Sequence, residues 1–127
     1  MRVAVFESEH HAADGVIRHL IEAGHDVVRC VERGARAFPC AALTDAGCPV
    51  DRGVDVAVTV RPHVRPRPTP LEQGVTCTLR LGIPLVIVGQ GGTLNPYEHW
   101  RPVLATAADV VGACEDAVSA PTANHLD

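Results

Sequence analysis

Lysine is missing from this sequence of 127 residues; all 11 basic side chains are arginine. Its absence excludes Schiff-base chemistry and a phosphate-binding P-loop, both of which need an amine. Aromatic residues make up only 3% of the chain, so a core must be built from Val, Ala, Leu and Ile. No apolar run approaches the ~18–20 residues of a membrane span. Glu7 comes too early in the chain for the apolar region of a signal peptide. The five cysteines, Cys30, Cys40, Cys48, Cys77 and Cys114, are an odd number. They fit poorly with a complete disulfide framework and point to a reducing, cytoplasmic setting. Fifteen acidic residues leave a net charge of −4, which argues against broad nucleic-acid binding.

What is present is a chain of short apolar runs separated by helical patterns. Residues 2–6, Arg-Val-Ala-Val-Phe, predict a first strand. Ala13, Val16, Ile17, Leu20 and Ile21 follow at helical spacing, and Gly24 supplies the stop. Residues 26–31 predict a second strand, so the unit has the size of a βαβ crossover with parallel strands. Residues 54–60 predict a third strand and residues 83–88 a fourth, apolar throughout as a strand covered on both faces should be. Between these last two, Thr69-Pro70-Leu71-Glu72 is a helix start with a capping box, Leu71, Val75 and Leu79 share a face, and Gly82 ends the helix. Asn95-Pro-Tyr-Glu98 repeats the capping signature before a short helix. Leu104, Ala107, Val111, Cys114 and Val118 then predict a final helix.

The expected fold is α/β: a single domain over residues 1–120, built on an open parallel sheet of four or five strands with helices on both faces, flavodoxin-like or Rossmann-like. The expected strand order is 2-1-3-4. Residues 32–53 carry Gly, Pro, Cys40 and Cys48 without a clean period and form an irregular excursion. A structureless loop that long is unusual and needs something to hold it down. Residues 121–127 read as a flexible tail.

The first 31 residues resemble a response-regulator receiver domain. The resemblance rests on the opening apolar strand, on Glu7-Ser8-Glu9, and on the turn Ala23-Gly24-His25-Asp26-Val27-Val28 into strand two. It extends, over about two-thirds of the chain, to the strand ending Thr59-Val60-Arg61-Pro62 and to Ile83-Pro-Leu-Val-Ile-Val88-Gly89-Gln90. The resemblance puts Thr59 where the family carries its phosphate-accepting aspartate and Gly89 where it carries Ser or Thr. No lysine can fill the family's fifth-strand position, and a fifth strand is weak or absent in the pattern. It therefore implies a degenerate receiver that takes no phosphoryl group at the usual site.

In an open parallel sheet, ligands bind beyond the carboxyl ends of the strands. Three segments converge there: Glu7, Glu9 and His10 after strand one, Thr59, Arg61 and Arg65 after strand three, and Gln90, Gly91 and Gly92 after strand four. The glycines can cradle an anion, the arginines can bind one bidentately, and the glutamates can hold Mg²⁺ or accept ribose hydroxyls. Alternatively the glycines only make a turn and the arginines face water. Cys40, Cys48 and Cys77, with His63 as a fourth ligand, form a second candidate site, for a metal ion or a disulfide. Against it stand the absence of a Cys-x-x-Cys pair and the tendency of free Cys to behave as a small buried hydrophobe. There is no dinucleotide-binding glycine motif after strand one, no Walker motif and no Ser-His-Asp arrangement.

The leading expectation is a non-enzymatic regulatory or binding module for a protein partner or a small anionic molecule; a homodimer fits the same reading. The alternatives are a cysteine-based metal-binding or redox protein and a small enzyme acting on a phosphorylated or nucleotide substrate.

Overall fold

Five short apolar runs pair side by side into one all-parallel sheet, in the order β2-β1-β3-β4-β5. They are β1 (Arg2–Glu7), β2 (Asp26–Val28), β3 (Val56–Val60), β4 (Leu85–Val88) and β5 (Val103–Ala105). The computed structural model describes residues 1–29, 53–89 and 95–119. The excursion with Cys40 and Cys48, the segment Gln90, Gly91 and Gly92, and the tail therefore lie outside the described residues.

Alternation along each strand sorts the side chains onto two faces. Val3, Val5, Val56, Val58, Val60, Val86 and Val88 pack beneath α1 (Asp14–Glu22) and α3 (Val110–Ser119), which contribute Val16, Leu20, Val110 and Cys114. On the opposite face Ala4, Phe6, Ala57, Leu85 and Ile87 pack against Val75 and Leu79 of α2 (Gly74–Arg80) and against Tyr97. Every residue of β3 and β4 is buried, as central parallel strands require. In α1 the apolar stripe is narrower than its spacing suggests: Ala13, Val16 and Leu20 are buried, whereas Ile21 is 58% exposed.

Three readings of the sequence need correction. The pattern beginning at Leu104 is not a helix. Residues 103–105 form β5, in register with β4 through Val86↔Val103 and Val88↔Ala105. An open edge of β4 captures this backbone, and the helix starts only at Val110. Thr106 closes the turn that leads into it, its hydroxyl accepting the Asp109 N–H at 3.2 Å. The fifth strand, weak or absent in the sequence pattern, is thus present. The second correction is at Thr69, where the capping box opens a single 3₁₀ turn, Pro70–Glu72, ahead of α2. The third is at Asn95, where the signature is followed only by the 3₁₀ turn Glu98–Trp100, with Asn95 Oδ1 accepting the Tyr97 N–H at 2.8 Å. Among the described residues no helix is long and apolar enough to cross a membrane.

Candidate functional site

Parallel pairing brings the carboxyl ends of β1, β3 and β4 to one edge, with Glu7 opposite Val60 and Val60 opposite Val88. One residue further on, Ser8, Arg61 and Gly89 form a row. The Ser8 N–H donates to the Val60 carbonyl at 3.0 Å, and the Arg61 N–H to the Val88 carbonyl at 2.7 Å. Gly89 is required at its place. Its φ is +115°, and a Cβ there would overlap the Arg61 carbonyl oxygen.

Arg61 leaves the sheet with its side chain wholly buried. Its Nε donates at 3.1 Å to Glu72 Oε2, which also accepts the Thr59 hydroxyl at 2.7 Å. The other Glu72 oxygen accepts the Thr69 N–H at 3.1 Å, the capping-box bond. Both partners of this ion pair are fully removed from solvent, so each compensates a charge that would otherwise be very costly to bury. Arg61 does more with its fork. Nη1 donates to the Arg65 carbonyl at 2.9 Å and Nη2 to the Arg67 carbonyl at 3.0 Å. The loop 62–68 is thereby curled around one buried guanidinium. The Arg65 and Arg67 side chains are exposed and make no ion pair among the described residues.

Tyr97 completes the cluster, 3% exposed, with the Arg61 guanidinium carbon 5.9 Å from its ring centroid. Burial, and next the Glu72 carboxylate, hold its phenol far above the ordinary tyrosine range, so it stays protonated. Its hydroxyl and the Ser8 hydroxyl are buried without a hydrogen-bond partner among the described residues.

The two glutamates after strand one part company. Glu7 is buried; its Oε1 accepts the Ala13 N–H at 3.0 Å and its Oε2 accepts from Arg29 Nη2 at 3.0 Å. Its charge is therefore spent on starting α1 and on Arg29. Glu9 is partly exposed and pairs with His63, whose Nδ1 lies 2.6 Å from Glu9 Oε1. This pair ties the loop after β1 to the arginine loop after β3. His10 is exposed beside it.

The edge holds Glu7, Glu9, His10, Thr59, Arg61 and Arg65, joined by His63, which the sequence reading groups with the cysteines, and these residues take different roles. Thr59 and Arg61 are interior, and only Glu9, His10, His63 and Arg65 face solvent. Of the cysteine site, Cys40 and Cys48 lie outside the described residues and Cys77 is exposed on α2. No group of three or more His, Cys, Asp or Glu side chains suited to a metal ion occurs among the described residues. Sequence reasoning missed Glu72, Tyr97 and Arg29. Glu72 was legible only as a cap, because the partner that buries it lies 11 residues earlier on another element.

No protein-family model, curated protein or solved structure matches the chain. The architecture shows an open parallel α/β sheet and no more specific class.

Proposed function

We propose that the chain is a non-enzymatic binding or regulatory module, a degenerate receiver-like frame that takes an anionic group on the arginine loop beyond β3. The group is a carboxylate of a protein partner or a small phosphate-type anion. One observation carries this reading: Arg61 is spent internally to hold the carbonyls of Arg65 and Arg67, while those two side chains are exposed and make no ion pair among the described residues. A loop fixed in advance loses little freedom on binding, and arginine forks suit carboxylates and phosphates. The receiver-like positions support binding rather than phosphoryl transfer. Thr59 gives its hydroxyl to Glu72, and Glu7 is neutralised by Arg29.

Isothermal titration with inorganic pyrophosphate and with a polyglutamate peptide tests the reading. Saturable binding of at least one probe is expected, weakening as salt rises and falling at least about tenfold in Arg65→Ala/Arg67→Ala, since two charge-assisted contacts are lost. Absence of binding by both probes, or affinity unchanged in the double variant, overturns it.

A further inference from the structure

We infer that the anionic group is presented by a second copy of this chain: the arginine loop of one copy seats in the groove between β5 and α3 of the next. The inference rests on the binding role of Arg65 and Arg67 proposed above and names their partner.

The groove is an open concavity of about 620 Å³ walled by Val103 and Leu104 of β5, by Asp109 just before α3, and by Gly112, Ala113 and Asp116 along it. It lies at the end of the sheet, where β5 has no further strand beside it among the described residues. Val103 is 41% and Leu104 50% exposed, an apolar wall facing water. At Gly112 a Cβ would meet nothing within 4 Å, so the floor is open. Asp109 and Asp116 stand two helical turns apart, roughly 10 Å, on one side of α3. Asp109 takes a hydrogen bond from the Thr106 hydroxyl at 2.9 Å, which leaves its charge uncompensated. Among the described residues neither aspartate has a cationic partner and no basic side chain lines the groove.

The loop is its complement in charge and in polarity. Arg65 and Arg67 are exposed cations, and Val64 beside them is 53% exposed. Within one chain the two surfaces cannot meet, because the loop leads into α2 on one face of the sheet while α3 covers the other. The contact therefore runs between different patches of two copies. It is head-to-tail, able to propagate beyond a dimer. Rim ion pairs contribute little individually, so the association is weak and sensitive to salt.

Sedimentation velocity on the full chain, at concentrations up to about 1 mM and low ionic strength, tests this with two charge reversals. Arg65→Glu/Arg67→Glu destroys the loop and keeps the groove; Asp109→Arg/Asp116→Arg destroys the groove and keeps the loop. The unaltered chain is expected to associate as concentration rises and to dissociate in about 0.5 M salt. Each variant alone is expected to stay monomeric, whereas a mixture of the two associates, because the intact loop meets the intact groove and the reversed loop meets the reversed groove. Gly112→Leu, which fills the groove without changing charge, should weaken association at least about fivefold, because the bulk occludes the space the loop needs. A monomeric parent chain, reversal variants that associate like the parent, or a mixture that stays monomeric each overturns the inference. If the parent chain binds pyrophosphate or polyglutamate through Arg65 and Arg67 but does not self-associate, this inference falls and the anion-binding reading stands. Loss of probe binding in the parent chain removes both.

Discussion

Gly89 sets how closely the chain segments leaving β3 and β4 can approach, because it has no side chain. Its positive φ is one that L-residues adopt only with strain, and the space a methyl would fill is occupied by backbone. Gly89→Ala is therefore expected to cost about 2–4 kcal/mol, the sum of left-handed strain and a forced backbone shift. Urea unfolding measures it; a loss below ~1 kcal/mol would mean that the segments separate at no cost. Neighbouring Arg61 teaches a different lesson at the same scale. An arginine in an Arg- and Pro-rich stretch reads as a surface cation. Its burial depends on Glu72, whose position relative to Arg61 no local pattern encodes.

At the scale of elements, β4 and β5 differ in what surrounds them rather than in how apolar they look. Ile87 is fully buried between β3 and β5 and under α2, whereas Leu104 on the outer strand is half-exposed. Ile87→Ala should destabilise by about 2–5 kcal/mol, the range for emptying a packed site. Leu104→Ala should cost under ~1 kcal/mol, since little burial is lost. Paired denaturation curves for the two variants check the contrast, and equal losses would contradict the edge placement of β5. The strands β1, β3 and β4 were legible because continuous apolar runs bounded by charge or Gly have few other uses. β5 was not, because Val-Leu-Ala is as compatible with a helix. Only the open side of β4 decided between them.

For the whole molecule, the buried ionisable groups set the alkaline limit of stability. Burial, with Glu115 adding to it, pushes the Cys114 thiol up to about 11, from 9.0 in a free thiol. Across that interval the unfolded chain has given up a proton that the folded chain keeps. Stability therefore falls as pH rises above about 9, by at most ~1.4 kcal/mol per pH unit for this group. Tyr97 adds to the fall from about pH 10, as its phenol is also held protonated in the fold. Unfolding free energies at pH 8, 9 and 10 should decline in that order. Cys114→Ala should flatten the step from 9 to 10 even though its stability at pH 8 is lower. An equal slope in the variant would mean that Cys114 titrates alike in both states.

Several features were settled by the sequence alone: the α/β class, the succession of parallel strands and the buried pattern of residues 85–88. These follow from local periodicity and from chain direction, which parallel pairing converts directly into position. Other features were decided only in three dimensions. The division of the edge into a buried Arg61–Glu72–Tyr97 cluster and an exposed Arg65/Arg67 surface is one; the second is the capture of residues 103–105 by β4. The physical reason is shared. A charge goes inside, or an ambiguous segment becomes a strand, only when a partner distant in sequence makes that state the cheaper one.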